Sequence, residues 1–224
     1  MRVLTARRRF WGCLLIASAM PGQVLADVTQ AWFQNTSFLR LDEHWSIGSY
    51  FDLRVTDAVG ELATTMFSPR IRYDLSPHWS AQVNTTWVEA QAADESGRTA
   101  FTRFEFELNP RYAFGDKFIL SARNRIEWRW FEGAEGINER IRIRPQIDLP
   151  TPWAGPVKGI FINNEVFYDF DQRRITENRL TPLGLVFKPA QQLELRVYHL
   201  WRHTRARERW FDFHVIALHA SLSF

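Results

Sequence analysis

The 224-residue sequence contains one cysteine, Cys13, so no disulfide can staple the chain. Beyond residue 26 there is no run of about 18 apolar residues, which excludes a membrane-spanning helix there. Helical periodicity is almost absent from residue 28 onward. No linker, low-complexity tract or composition shift marks a second domain. No metal-ligand spacing and no phosphate-cradling loop occurs, so no metal or cofactor is expected.

The excess of positive charge is confined to the amino terminus. The formal charge is +3, but Arg2, Arg7, Arg8 and Arg9 precede the short apolar stretch "FWGCLLIASAM". "VLA-D" then offers small-residue cleavage after Ala26. Basic, apolar and small-residue regions in this order read as a cleaved export signal over 1–26. Its removal takes away four arginines and no acid, which leaves a charge of −1 on residues 27–224. The basic pI therefore carries no nucleic-acid reading, and none is expected as a partner. The remaining chain is exported, has no cysteine, and needs another source of stability.

That source is β-structure. Period-two segments run over 28–41, 44–56, 61–75, 78–92, 99–114, 117–132, 138–149, 158–171, 175–188, 192–204 and 209–224. Most hold 12–16 residues, against a usual mode of about 5–6 in soluble sheets. Connections alternate in kind. "LDEH", "LSPH", "FGDK" and "KPAQ" are tight. "DAVGE", "AADESGR", "EGAEGINE" and "HTRARE" are longer and polar. "PTPWAGPVKG" is long where a tight turn is expected. This asymmetry fits short periplasmic turns and longer external loops.

Successive strand residues face opposite ways. "RIRIRPQID" (140–148) therefore puts Arg140, Arg142, Arg144 and Asp148 on one face, and Ile141, Ile143 and Ile147 on the other. In 117–132, Arg123, Arg125, Glu127 and Arg129 oppose Leu120, Ile126, Trp128 and Trp130. In 99–114, Arg103, Glu105, Glu107 and Arg111 oppose Phe104, Phe106, Leu108 and Tyr112. In 44–56, Asp52 and Arg54 oppose Ile47, Phe51 and Leu53. Arg70, Arg72, Asp74, Glu165, Asp169, Glu194, Arg196 and Arg202 complete the ionic face. The phase of 175–188, and with it that of Arg179, is ambiguous.

Aromatic side chains gather toward the ends of the apolar face. Trp45, Tyr73, Trp79, Phe114 and Phe118 sit by the tight turns. Trp87, Trp128, Trp130, Tyr168, Trp201 and Trp210 sit toward the longer loops. Two such belts fit the two lipid–water interfaces, with outer-membrane lipids against the wall. A soluble β-sandwich would carry the same aromatics in its core, but would need shorter strands and visible edges. The last strand carries Ile216, Leu218, Ala220, Leu222 and Phe224 at alternate positions. It resembles the carboxyl-terminal signal read by the barrel-assembly machinery, after passage with periplasmic chaperones.

The expected architecture is all-β: one transmembrane antiparallel up-and-down barrel over 27–224, of about 10–12 strands with eleven candidates. Bacterial barrels normally have an even number. Three resolutions are open: residues 27–35 threading the lumen, two strands merged into one, or an odd barrel with a parallel seam. The segments "AWFQNTSFLRLDEHWSIGSYFDLR", "FILSARNRIEWRWFE…ERIRIRP", "NNEVFYD" and the closing strand resemble a family of outer-membrane barrels catalogued as domain of unknown function 2490. The resemblance implies a barrel in the outer membrane of a Gram-negative bacterium. It implies no substrate and no catalytic residue.

With Arg179 left aside, the ionic face holds thirteen arginines and nine acids. Glu107 is expected across from Arg125, and Glu127 between Arg103 and an arginine of 140–144. Such an interior can be a narrow porin-like channel leaning toward small anionic solutes such as acidic sugars. It can equally be a closed barrel filled by its own salt bridges. A lipid-modifying enzyme is the third class. "HAS" places His219 and Ser221 on one face, but no acid partner is evident and no catalytic residue is assigned. His199 and His214 fall on the lipid-facing phase.

Overall fold

The computed structural model describes residues 28–56, 61–91, 97–151, 155–206 and 208–224. The expected leader, the "DAVGE" loop up to Gly60 and most of "AADESGR" lie outside them. Eleven strands form: β1 (Val28–Arg40), β2 (Trp45–Thr56), β3 (Glu61–Ser76), β4 (Trp79–Gln91), β5 (Arg98–Phe114), β6 (Phe118–Phe131), β7 (Asn138–Pro150), β8 (Val157–Asp169), β9 (Arg174–Ala190), β10 (Leu193–Ala206) and β11 (Arg209–Ser223). Each pairs antiparallel with its neighbours in sequence, and β1 closes the barrel against β11.

The closing pair is parallel, from Val28↔His214 to Phe38↔Ser223. An all-antiparallel barrel is thus corrected at one seam. The cause is parity: when direction alternates, the first and eleventh strands run the same way. Residues 28–40 form wall and do not thread the lumen. Beyond the seam, Phe224 donates its amide to Phe38 O at 3.0 Å, and Arg40 donates its amide to Phe224 O at 2.9 Å. Closure leaves no strand of the barrel at an open edge.

The wall is inverted relative to a soluble protein. Ile143 on the outside is 47% exposed, while Glu127 on the inside is 0% exposed. Strand prolines obey the same sorting. Pro69, Pro110 and Pro145 point outward, and the ladder is interrupted beside each: Phe67↔Trp87 is followed by Arg70↔Asn84, Leu108↔Asn124 by Arg111↔Ser121, and Ile143↔Val166 by Gln146↔Asn163. Proline has no amide hydrogen to give the neighbouring strand. Near Pro110, Asn124 Nδ2 donates to Leu108 O at 3.0 Å.

Strand β9 shows why its phase could not be read. The pairing shifts on both sides, between Phe161 and Asn163 on β8 and between His199 and Trp201 on β10. Interior positions run through Glu177, Arg179 and Thr181, then resume at Gly184, one residue out of phase. A bulge does this to a strand. Gly184 also makes room for Phe161, because a Cβ there would lie 2.2 Å from that ring.

The "HTRARE" segment is mostly strand, not loop. Pairs Arg205↔Trp210 and Ala206↔Arg209 carry the β10–β11 ladder to its tip. Charged side chains at the barrel mouth do not end a strand whose backbone still has partners.

The barrel interior as the candidate functional site

Alternation along β5 to β8 brings the ionic faces together inside the wall. Register puts Glu107 opposite Arg125 and Glu127 opposite Arg140. Arg125 Nε donates to Glu107 Oε1 at 2.7 Å, and its Nη1 lies 3.0 Å from Glu105 Oε2. Arg140 reaches Glu127 Oε2 through Nε at 2.8 Å and Nη2 at 2.6 Å. Arg142 joins two strands, donating to Glu127 Oε1 at 2.6 Å and Glu165 Oε1 at 2.9 Å. Arg123 Nη2 donates to Glu165 at 2.6 Å, and Arg103 pairs with Glu105. Asn84 and Thr86 of β4 also donate to Glu105, at 2.9 and 3.1 Å. Every carboxylate in this ladder is shared by several donors.

Smaller groups surround the ladder. Arg54 pairs with Asp52 at 2.7 Å, and Arg129 with Asp169 at 2.7 Å. Glu177 accepts from Arg179 at 2.6 Å and Arg202 at 2.8 Å. Nearer the end that carries Phe224, Arg196 pairs with Glu194 at 2.8 Å and approaches Asp148 at 3.6 Å, while Arg72 pairs with Asp74 at 2.7 Å. Arg179 and Glu177 add one charge of each sign to the interior, so fourteen arginines stand against ten acids.

Three arginines stand apart. Arg70 and Arg144 line the cavity with no carboxylate among the described residues within ion-pair distance, and the Nε of each is buried without a hydrogen-bond partner. Arg111 is exposed at the mouth of the cavity.

The sequence reading missed the interior aromatic groups. Trp32 is 2% exposed and Phe167 0% exposed. Arg54 lies 3.7 Å from the Trp32 ring centre and Arg179 5.0 Å. Arg142, Arg179 and Arg140 lie 4.3, 4.5 and 5.0 Å from that of Phe167. Flat guanidiniums stack well on such rings. The available signal was parity: Phe161 and Phe167 share the phase of Glu165, and Trp32 that of Gln30 and Gln34. It is hard to see because both faces of "FINNEVFYD" are apolar in places. Trp32 also joins Leu200, Val215 and Ala217 in a small apolar cluster lining the seam.

A cavity of about 1030 Å³ runs along the interior. Its lining reaches from His44 and His78, in the turns at the Phe224 end, to Thr56 and Gln91 at the other end. His219 and Ser221 face it. His219 Nε2 lies 2.9 Å from Thr36 Oγ1, and among the described residues no carboxylate hydrogen-bonds to it. Among the same residues, no cluster of His, Cys, Asp or Glu could hold a metal ion.

The outer face carries the aromatic residues singled out above. Trp45, Trp79, Trp87, Trp130, Trp201 and Trp210 are exposed, and Tyr73, Trp128 and Tyr168 are half-buried. Trp45 packs on Tyr73 with ring centres 4.6 Å apart. His199 and His214 are on this face, with Nε2 and Nδ1 3.1 Å apart, and Trp201 Nε1 donates to His214 at 2.8 Å.

An ionic interior, an apolar exterior and a closed wall define an inside-out β-barrel. The chain belongs to the family of proteins of unknown function DUF2490, whose model matches residues 29–212. It is similar in structure to an anion-selective porin from Comamonas acidovorans, with a TM-score of 0.41, 14% identity and 80% of this chain covered. The chain spans about half of that porin, 53%. No curated protein matches its sequence.

Proposed function

We propose that this protein is an integral outer-membrane barrel of a Gram-negative bacterium, exported by a leader over 1–26, and that it forms a narrow passage favouring small anions. The observation that carries this reading is the end-to-end cavity lined by an excess of arginine. A narrow bore in a low-dielectric wall focuses the field of its fixed charges, so a positive excess draws anions and repels cations. Outer-membrane lipids cover the apolar exterior, and the outward tryptophans and tyrosines form its aromatic girdle at the two interfaces.

One observation favours a second reading, a closed structural barrel. Trp32 and Phe167 lie stacked with arginines inside the lumen, where they narrow it. Single-channel recording of the refolded protein in planar bilayers separates the two readings. The passage predicts discrete current steps and a reversal potential displaced toward that of chloride in a potassium chloride gradient. A folded, inserted barrel that carries no current overturns it and leaves the closed barrel.

A further inference from the structure

We infer that the cavity contains a binding site for a small oxyanion-bearing solute, a carboxylate or a phosphate, centred on Arg70 of β3 and Arg144 of β7. The site deepens the anion-passage reading but stands on its own geometry. Among the described residues lining the cavity, the other arginines, Arg40 and Arg111 at its mouth aside, each lie within ion-pair distance of a glutamate or aspartate. Arg70 and Arg144 are the departures, and the Nε of each is shielded from solvent with no acceptor in reach.

The nearby acids do not make up the deficit. Glu107 and Glu165 line the same cavity as the two guanidiniums. Glu107 is already bonded to Arg125, Asn84 and Asn109, and Glu165 to Arg123 and Arg142. Arg70 lies over the Tyr50 ring, Tyr50 meets His219 edge-on with ring centres 6.5 Å apart, and Arg144 lines the same cavity as all three.

The wall of that region is built to hold them without neutralising them. Arg70 lies over the ring of Tyr50, 4.2 Å from its centre, which fixes the guanidinium plane and leaves its edge for a ligand. Tyr50 donates its hydroxyl to Asp52 at 2.7 Å and accepts from Gln34 at 2.8 Å. Tyr198 donates to Gln34 Oε1 at 2.7 Å. Tyr50, Gln34 and Tyr198 are thus satisfied among themselves and Asp52. Arg123, which also lines the cavity, keeps an unbonded Nε too but is neutralised by Glu165, whereas Arg70 and Arg144 combine a free Nε with no carboxylate partner among the described residues. A planar, multi-donor cation with no internal acceptor matches the oxygens of carboxylate and phosphate.

The test is calorimetric titration of the refolded full-length barrel in detergent with inorganic phosphate and, separately, with glucuronate. Variants Arg70→Gln, Arg144→Gln and the double change are compared with Arg72→Gln, whose guanidinium is paired with Asp74. Saturable binding of either anion is expected in wild type and in Arg72→Gln, with at least a tenfold loss in each single variant and none measurable in the double. Phosphate alone, or glucuronate alone, identifies the source of the oxyanion.

Without ligand, the single variants should resist urea at least as well as wild type, because each removes a half-buried charge that has no partner among the described residues. If they unfold sooner, these arginines are structural and the site is overturned. The absence of saturable binding in wild type, or equal binding in the double variant, also overturns it. Current without saturable binding removes the site and leaves the passage. Binding without current removes the passage and leaves a ligand pocket in a closed barrel.

Discussion

Arg140 and Glu127 face each other across the β6–β7 ladder and are joined by two hydrogen bonds to a single carboxylate oxygen, at 2.8 and 2.6 Å. The other oxygen of Glu127 receives Arg142 at 2.6 Å, and Arg103 and Arg125 stand 3.9 and 3.4 Å away. One fully buried carboxylate thus holds four guanidiniums. Removing one partner of a buried ion pair strands the rest and costs about 3–5 kcal/mol. Glu127→Gln should lower the unfolding free energy of the refolded barrel by an amount of this order, read as a lower urea midpoint. Glu89→Gln is the control, since Glu89 makes an exposed pair with Arg98 worth about 0–1 kcal/mol. Equal midpoints for the two variants would count against the ladder as a structural unit.

The parallel seam is open to direct chemical test. Asn35 of β1 is in register with Ala220 of β11, and both point outward. Residues 27–224 contain no cysteine, so an introduced pair has no competitor. Asn35→Cys with Ala220→Cys should crosslink on mild oxidation of the folded barrel. Asn35→Cys with Ile216→Cys should not, because that pair is four residues out of register and a disulfide needs Cα atoms about 4.4–6.8 Å apart. The reverse pattern, read by mobility on a non-reducing gel, would indicate a different closure.

Charge reversal at the unpaired arginines should turn the selectivity of the passage. Arg70→Glu with Arg144→Glu changes the interior by four units without removing a partner from any glutamate. The reversal potential in a salt gradient should move toward that of the cation. Changing Arg142 instead would strip Glu127 and Glu165 of a shared donor and damage the ladder. Ile143→Arg is the contrasting change. It places charge on the outer face at about 2–4 kcal/mol near the bilayer midplane, so it should lower the heat-modifiable folded fraction and leave the ion preference of surviving channels unaltered. A double glutamate variant that inserts and keeps the wild-type preference would contradict the anion assignment.

Asp42 gives the β1–β2 turn a pH dependence. Its Oδ1 accepts the amides of Trp45 at 2.7 Å and His44 at 2.8 Å, and these bonds hold the carboxyl below its usual range. A depressed carboxylate contributes stability that is fully present above its ordinary value near pH 4 and is lost as pH falls through the folded value. Asp42→Ala should therefore unfold at lower urea than wild type at neutral pH, with the gap closing in acid below about pH 4. A gap that stays constant across that range would mean the turn does not depend on the charge.

The strand wall was legible because side chains alternate with a period of two. Arg140, Ile141, Arg142 and Ile143 each declare a face, and one register error would turn every arginine toward lipid. The Glu107–Arg125 pair and the crowding of Glu127 followed from that alternation plus one tight turn between β5 and β6. The phase of β9 was not legible, since a bulge adds a residue without leaving a mark in composition. Nor was the interior role of Trp32, Phe161 and Phe167, because an aromatic residue carries no sign of which face it takes when its neighbours are mixed.

What the sequence alone determined is therefore local: long strands, the sorting of charge from hydrocarbon along each, and the connections between successive strands. Tertiary structure decided what depends on pairing between distant segments. The parallel β1–β11 contact exists because eleven strands of alternating direction leave the two ends of the wall running the same way. Which arginines are neutralised was decided by pairing as well. Arg142 and Arg144 are two residues apart on one face, yet Arg142 lies between Glu127 and Glu165 and Arg144 faces open cavity. Pairing with the two flanking strands makes that difference, because β6 and β8 carry the carboxylates that Arg142 reaches.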